Sequence, residues 1–409
     1  MSEIIGEERR LGIALIGAGI MGRRHLKGYG ELCKVQLDHA NVVAIVDPNQ
    51  EAAETAAEEA KQLLGVRPAV YSNFEQALMD DAVDALDIAA DPRVHHSIAV
   101  AAMEAGRHVL CEKPLALTVR TARAMVESAQ RNGMVLATGE NYRRGGANRL
   151  AKAVLDTGLL GDVHLLRELN IGGDNQIILS PWRHRKDSGA IGLDMTIHYA
   201  DIAEYLLGKI DIVWGRGIIA EPFRFPADGG SPIVADGEDA IIAGLRTESG
   251  IDVQLAYLPS GPGNRFRERV IHGTLGSMNV PQDRTDGDVV VTLGDQVISG
   301  QALIEMVGDA FQLSSATVAV LGPDGTGGKG TPWSQVDAGY LAVEIDDFVR
   351  AVLNNHAPEV DGVGGMRSLA IVLGILESGM TGEAVKVDDV VNGELHSYQD
   401  SIDEALMEW

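Results

Sequence analysis

The side chains best suited to chemistry in this chain stand where an apolar segment ends. Residues 109–111 (Val-Leu-Cys) are followed directly by Glu112, Lys113 and Pro114. The apolar run predicts a buried parallel strand, and proline ends it because its nitrogen cannot donate to a ladder. Glu112 and Lys113 are therefore expected at the carboxyl end of a core strand, where open α/β sheets bind ligands. From these residues alone, a ligand-binding role and an ordinary strand-end ion pair are equally supported.

A second candidate pair lies near the middle of the chain. Asp194 and His198 stand in a glycine-flanked segment, and they share a face if that segment is helical. Imidazole can take a proton near neutral pH, so His198 is a candidate base. Taken alone, the pair is better explained as a helix-surface contact.

A glycine-rich turn near the N-terminus predicts a nucleotide site. Residues 11–16 form a short apolar run that leads into Gly17, Gly19 and Gly22, with a plausible helix from residue 23. The glycines permit a tight turn and let the backbone approach a pyrophosphate, which the helix N-terminus stabilises. Ile20 and Met21, inside the same turn, are also predicted to contact the cofactor.

The next apolar run, residues 41–46, ends in an acid, Asp47. A carboxylate at this place can accept both ribose hydroxyls of an adenosine and repels a 2′-phosphate. The cofactor is therefore predicted to be NAD rather than NADP, although Arg23 and Arg24 nearby weaken that preference.

The order of the predicted elements indicates two domains, which 409 residues with 45% hydrophobic content can support. Strands and helices alternate up to residue 138, which predicts a doubly wound parallel sheet in a domain of residues 1–140. Residues 141–409 are predicted to form an α+β domain with a large, mainly antiparallel open sheet, because several strands follow one another without helices. Its strands are expected at residues 163–171, 210–219, 239–246, 251–258, 267–272, 277–280 and 289–293. Residues 322–330 are predicted to be a mobile loop, and 340–353 and 366–380 to be helices that can pack back on the first domain.

Composition limits the possible partners and compartment. The net charge of −25 argues against nucleic acid, which needs a basic surface. Two cysteines, Cys33 and Cys111, favour a reducing cytoplasm. No apolar run of membrane-spanning length is identified and residues 1–10 are polar, so neither a membrane helix nor a signal peptide is expected.

With these features in this order, the chain resembles the Gfo/Idh/MocA oxidoreductases, the family of glucose–fructose oxidoreductase and inositol dehydrogenase. The resemblance runs over most of the length and includes Pro92 with His96, and residues 105–109 before the central strand. It implies an NAD-binding Rossmann domain, with Pro92, His96, Glu112 and Lys113 near the cofactor. It also implies homodimers or homotetramers formed through the open face of the second sheet.

The resemblance implies a reaction as well. A secondary hydroxyl of a sugar, sugar derivative, glycoside or cyclitol would lose hydride to nicotinamide and a proton to His198. Lys113 would stabilise the developing alkoxide, and Asp194 would orient the substrate or the imidazole.

Weaker candidates for the substrate pocket follow from the same resemblance. Tyr142 and Arg143 match the family's substrate-side segment, and Trp182 and His184 are candidates to line a sugar pocket. The family's usual Thr-Pro-Asn is replaced here by Asp91, Pro92 and Arg93. Asp194 and His198 lack a clear third ligand, so no metal is predicted.

Two other functions are compatible with this fold. One is a glycoside-cleaving enzyme that uses NAD to oxidise the sugar's third carbon transiently. The other is a non-catalytic nucleotide-sensing regulator, against which the joint presence of Lys113, Asp194 and His198 counts.

Overall fold

The fold is described by a computed structural model that covers residues 10–177, 180–261 and 263–407. Most of the polar N-terminal segment considered above, residues 1–9, lies outside the described residues.

The first part of the chain forms a six-stranded parallel sheet in the order β3-β2-β1-β4-β5-β6. Its strands are β1 (Leu11–Ile16), β2 (Ala40–Val46), β3 (Ala69–Tyr71), β4 (Ala85–Ile88), β5 (His108–Glu112) and β6 (Leu136–Gly139). The strand order reverses between β1 and β4, which opens a crevice at the carboxyl ends of the strands. The predicted doubly wound sheet is confirmed.

Five helices cover this sheet, and local signals in the sequence set their ends. They are α1 (Ile20–Lys34), α2 (Gln50–Leu64), α3 (Phe74–Leu78), α4 (Pro92–Glu104) and α5 (Val119–Asn132). Thr118 caps α5 by accepting the Thr121 N–H, and Gly133 ends it in left-handed geometry. Helix α4 begins at Pro92, because Asp91 caps it and proline suits a first helical position.

A nine-stranded mixed sheet dominates the second part of the chain. The strands of this part are β7 (Val163–Ile171), β8 (Ile210–Ile218), β9 (Phe223–Arg224), β10 (Ile233–Val234), β11 (Ala240–Thr247), β12 (Asp252–Leu258), β13 (Phe266–Gly273), β14 (Ser277–Val280), β15 (Val290–Leu293), β16 (Gln296–Ser299) and β17 (Val385–Lys386). The sheet order is β16-β15-β14-β13-β7-β12-β11-β8-β17, and β9 and β10 form a separate ribbon. The mainly antiparallel sheet is confirmed, and β7 with β12 is a parallel pair within it.

In the described ranges of the second part of the chain, eight α-helices accompany the second sheet. They are α6 (Gly146–Asp156), α7 (Ala190–Leu207), α8 (Gly300–Val307), α9 (Ser315–Leu321), α10 (Trp333–Asn354), α11 (Gly362–Thr381), α12 (Val387–Asn392) and α13 (Asp400–Leu406). By length and composition α11 could cross a membrane, so the expectation that no apolar run is long enough is wrong for this helix. Within the fold, 72% of its apolar window is buried, as in the core helix of a globular protein. The glycine-rich segment before α10 packs on α6, where Gly325 accepts the N–H of Gly146 at 3.0 Å.

Helix α10 returns to the first sheet. Ala342, Ile345 and Phe348 are fully buried in one core with residues of β1 and β2. Gly28 on α1 permits close approach, because a Cβ there would lie 3.0 Å from the Ile345 Cδ1 atom. Helix α10 therefore packs on the first sheet, and its Glu344 reaches the sheet edge that carries Glu112.

Candidate active site

Each glycine of the N-terminal turn has a distinct structural reason. Gly17 adopts a φ of +101°, which disfavours other residues, and donates its N–H to the Val46 carbonyl at 2.8 Å. A Cβ on Gly22 would lie 1.8 Å from the Gly17 carbonyl oxygen, so only glycine lets α1 pack on the turn. A Cβ on Gly19 would meet no atom within 4 Å, so this glycine borders open space.

The open space lies at the N-terminus of α1. Gly19 is the N-cap and supplies no side-chain cap, so the first N–H groups of the helix are left for another acceptor. Ile20, the first residue of the helix, is 60% exposed, and Met21 follows it. Free N–H groups and the helix dipole together suit a phosphate group.

Asp47 lies beside this turn at the end of β2. Its carboxylate accepts the N–H of Ala18 at 2.8 Å and the N–H of Asn49 at 2.8 Å. The two arginines considered above are occupied: the Arg23 Nε donates to Glu59 at 2.7 Å and the Arg24 Nε to Asp337 at 2.7 Å. An acid at the ribose position, with both arginines paired elsewhere, suits NAD better than NADP.

Lys113 and Asp194 meet across the crevice. The Lys113 Nζ donates to the Asp194 Oδ1 and to its backbone carbonyl, each at 2.9 Å, and the Arg183 Nε donates to the Asp194 Oδ2 at 2.9 Å. Burial alone would raise the pKa of Asp194, but Lys113 and Arg183 outweigh it and lower that pKa to about 2. Asp194 is therefore a carboxylate at neutral pH that anchors the Lys113 ammonium.

His198 takes a different partner from the one predicted. Its Nδ1 lies 2.7 Å and 2.8 Å from the two carboxylate oxygens of Glu140, while Asp194 is occupied by its two cations. The Tyr142 ring stacks on the imidazole with centroids 3.9 Å apart and planes 3° apart. Asp194 was expected to orient the substrate or the imidazole; Glu140 and Tyr142 contact the imidazole instead, and a role of Asp194 toward the substrate stays a prediction.

Electrostatics keep His198 neutral. Burial, and then the positive charges of Lys113 and Arg284, lower its pKa well below the ordinary value. The ring's hydrogen bonds within the described part of the chain are at Nδ1, so Nε2 is the nitrogen available to a substrate.

Glu140 is the functional candidate that the sequence reasoning missed. It directly follows β6, as Lys113 follows β5, and it is 2% exposed. Burial raises its pKa to about 7. The sequence carries a signal for Glu140, because this acid follows an apolar run, as Glu112 does.

Glu112 holds the backbone behind Lys113. Its Oε2 accepts the Lys113 N–H at 3.0 Å, and its Oε1 lies 3.0 Å from the Nε2 of buried His25, whose Nδ1 contacts Asp87 at 2.9 Å. Burial opposes a charge on His25, but Asp87 and Glu112 raise its pKa well above the usual range. His25, Glu112 and Glu344 bring possible ligand atoms within 4.8 Å of one another. Both ring nitrogens of His25 already face carboxylates, because Nδ1 contacts Asp87 and Nε2 contacts Glu112.

The residues predicted on the nicotinamide side lie at the start of α4, on the same sheet edge. Pro92 opens the helix, and the Asp91 carboxylate before it pairs with the Arg93 Nη2 at 2.7 Å. His96 is half-buried, and burial lowers its pKa. Its neighbour His95 binds the Pro114 carbonyl at 3.0 Å, which ties α4 to the segment that carries Lys113.

The four predicted pocket residues divide into two groups. Tyr142 and Trp182 contact site residues, since Trp182 lies under the Arg183 guanidinium at 4.2 Å. Arg143 instead points its guanidinium at Asp201, with Nε 2.8 Å from Oδ2. His184 is 1% exposed, and burial, with the charges of Arg224 and Arg183, lowers its pKa to about 4.

Sequence and structure comparisons agree with this arrangement. Residues 11–140 match the family described as "Oxidoreductase family, NAD-binding Rossmann fold", and residues 148–279 match "GFO/IDH/MocA C-terminal domain". Levoglucosan dehydrogenase of Pseudarthrobacter phenanthrenivorans is 30% identical over 311 residues, which cover 70% of this chain and 78% of that one. 1,5-Anhydro-D-fructose reductase of Ensifer adhaerens is 26% identical, with 91% of this chain and 98% of that one covered.

Solved structures extend the similarity to the fold. Levoglucosan dehydrogenase in complex with NADH and L-sorbose matches with a TM-score of 0.77 and 26% identity, covering 93% of this chain and 100% of that one. Both halves of the chain match the family, and the alignment with levoglucosan dehydrogenase, at 30% identity, covers most of that protein. This chain therefore belongs to the Gfo/Idh/MocA family of NAD-binding oxidoreductases.

Proposed function

We propose that this enzyme oxidises a secondary hydroxyl of a sugar, sugar derivative, glycoside or cyclitol with NAD, or runs the reverse reduction. The observation that carries the proposal is that the Lys113 ammonium, anchored by Asp194, lies near enough to the buried His198 to lower the pKa of that imidazole, at the carboxyl edge of the first sheet. The α1 N-terminus lies at the same edge. The relatives named levoglucosan dehydrogenase and 1,5-anhydro-D-fructose reductase support a carbohydrate substrate.

The residues present fit NAD. The open space at Gly19 and the uncapped first turn of α1, with Ile20 and Met21, suit the pyrophosphate, and Asp47 suits the adenosine ribose. When bound, NAD supplies the acceptor for the hydride. Pro92, His96 and Glu112 stay predicted cofactor-side residues, with Glu112 acting through the backbone of Lys113.

The chain's own residues manage the proton and the charge. The hydrogen on the carbinol carbon leaves with the C–H bonding electrons as hydride. At the same time the O–H bond breaks and its proton passes to the His198 Nε2. The O–H bonding electrons form the second carbon–oxygen bond of the carbonyl product. The Lys113 ammonium, anchored by Asp194, donates a hydrogen bond to the oxygen while negative charge develops on it.

The substrate pocket is proposed to be bordered by Trp182 and by Tyr142, whose ring stacks on His198 and lies under Arg284. Arg143 and His184 would act behind them, because their side chains are turned toward protein partners. We further propose a cytoplasmic location, supported by the free cysteines Cys33 and Cys111, and a homodimer or homotetramer.

The test is reduction of NAD, followed by absorbance, with a panel of sugars, inositols and glycosides. We expect activity with NAD that falls about 100-fold or more in Lys113→Ala and in His198→Ala. The exposed residues Lys61 and His356 provide matched controls, and Lys61→Ala and His356→Ala should keep full activity.

Two outcomes would contradict the proposal. Full activity in either site variant would remove that residue from the mechanism. Absence of reduction with every substrate, in protein that binds NADH, would favour the glycoside-cleaving enzyme if glycosides are consumed and the sensor if they are not.

A further inference from the structure

The contact between Glu140 and His198 differs from a surface ion pair in its burial and geometry. Glu140 is 2% exposed and His198 is 4% exposed. Both Glu140 oxygens lie within 2.8 Å of the same ring nitrogen, and the Glu140 Oε1 also accepts the Tyr142 N–H at 3.1 Å. The Tyr142 ring stacks on the imidazole, and within the described residues the hydrogen-bond contacts of the Nδ1 are with this carboxyl group.

A buried imidazole alone is a poor base, because the imidazolium that it forms is costly away from water. The nearby charges of Lys113 and Arg284 make that cost higher. The proposed reaction nevertheless requires His198 to take a proton from the substrate. A group that removes the second ring proton solves this problem, and Glu140 is the group in position to do so.

We propose that Glu140 and His198 act as one proton-accepting dyad, in which a proton enters at Nε2 while the Nδ1 proton moves to the Glu140 carboxylate. Before the step, the ring carries its proton on Nδ1 and Glu140 is ionised. After the step, the ring carries its proton on Nε2 and Glu140 is a neutral acid. One proton is gained in total, and the imidazole is neutral both before and after. In this scheme Glu140 touches no substrate and acts through His198. The scheme rests on the proposed function above.

The surroundings favour this transfer over a fixed ion pair. In the Ser-His-Asp arrangement the carboxylate stays ionised because its acid is much stronger than the imidazolium. Here burial raises the pKa of Glu140 to about 7 while the pKa of His198 is lowered, so the order of acid strength is reversed. We therefore expect the two groups, which share a hydrogen bond, to titrate as a unit.

Other charged groups face the dyad from the neighbouring elements. The cations are Lys113 after β5, Arg143 in the turn after β6, and Arg284 in the segment before β15. The acids are Glu112 on β5, Asp194 and Asp201 on α7, and Glu344 on α10. Asp194 and Asp201 already pair with Lys113 and Arg143, so the charges around the dyad largely offset one another.

The first test observes the tautomer directly, without cofactor or substrate. Full-length protein carrying ¹⁵N-histidine is examined by NMR between pH 6 and 8, and a His198→Gln variant assigns the signal. We expect His198 to be protonated on Nδ1 at pH 8 and on Nε2 at pH 6, with a midpoint near 7. In Glu140→Gln this transition should vanish. One unchanged tautomer across the range, or a transition that persists in Glu140→Gln, would overturn the proposal.

The second test follows oxidation of an active substrate against pH. Glu140→Gln should lower kcat about 100-fold, leave KM within about 2-fold, and remove the rise in rate near pH 7. Glu140→Asp should restore the pH-dependent rise in part. Loss of rate with the rise unchanged would indicate a structural role only.

A matched control is Glu377→Gln. Like Glu140, Glu377 is buried (1% exposed), and burial raises its pKa. It accepts a backbone N–H from Tyr398 at 2.9 Å but contacts no site residue described above. It should keep the wild-type pH profile. If the wild type oxidises no carbohydrate but shows the tautomer transition, the proposed function fails while the dyad stands.

Discussion

Asp194 and His198 show how neighbouring residues on one helix face acquire opposite chemical characters. Both are buried on α7. Asp194 receives hydrogen bonds from Lys113 and Arg183 and stays charged, whereas His198 is paired with a carboxyl group and stays neutral. As a result, the crevice holds one anchored cation, Lys113, and one neutral imidazole, His198.

At this scale we predict that Asp194→Asn destabilises the fold. Removing the anion leaves two buried cations uncompensated, so the free energy of unfolding at pH 7 should fall by about 3–5 kcal/mol. Because the Asp194 pKa is lowered to about 2, its contribution is complete above about pH 4 and is lost as pH falls toward 2. Urea unfolding at pH 7 measures the loss, and wild type and variant should converge in stability in that acid window.

The control for this prediction is Asp156→Asn, which removes an exposed partner of Lys152 and should change stability by about 0.5 kcal/mol or less. An equal loss in both variants would mean that burial of the Asp194 pair contributes nothing.

Among the elements, the strand β1, the glycine turn and helix α1 form the unit whose geometry depends most on single residues. Gly17 turns the chain, Gly22 admits the helix, and Gly19 leaves space at its N-terminus. Gly22 is therefore required for packing of the fold, whereas Gly19 is expected to matter for cofactor binding.

We predict different outcomes for Gly19→Ala and Gly22→Ala. The alanine at position 22 collides with the Gly17 carbonyl, so it should lower the melting temperature by several degrees and also abolish NADH binding. The alanine at position 19 meets no protein atom, so it should keep the melting temperature and weaken NADH binding about 10-fold or more. Thermal melts and NADH fluorescence titrations measure the two effects. Unchanged NADH affinity in Gly19→Ala would place the pyrophosphate elsewhere.

On the scale of the whole molecule, α10 joins the two halves of the chain. Its apolar face shares a core with β1 and β2, and it carries Glu344 to the buried group around His25 and Glu112. The second half of the chain thus completes the hydrophobic core of the first.

Phe348→Ala tests this joint core. Phe348 is fully buried, and its loss should reduce the free energy of unfolding by about 3–5 kcal/mol, as expected for a large cavity in a core. Leu353→Ala, at a 43% exposed position of the same helix, should cost about 0.5 kcal/mol or less. Denaturant unfolding measures the loss of stability in both variants. A small loss in Phe348→Ala would show that α10 packs only loosely on the first sheet.

The sequence by itself determined the features that depend on short stretches of chain. The bounds of β1, β7 and β14 follow from local apolar runs, and the ends of α5 follow from Thr118 and Gly133. The parallel and antiparallel sheets follow from the order of strands and helices. Short strands such as β9 and β17, and the short helix α12, carry too few residues for a periodic signal in the sequence. They form because neighbouring elements in the folded chain stabilise them.

Only the tertiary structure decided which side chains pair within the site. Spacing placed Asp194 and His198 on one helix face, but it could not reveal that Lys113 and Arg183 occupy Asp194 while Glu140 reaches His198. Those partners come from the segments directly after β5 and β6 and from the segment before α7, and their distances are set when the two halves of the chain pack. The protonation of each group then follows from burial and from charges distant in sequence, which no local pattern encodes.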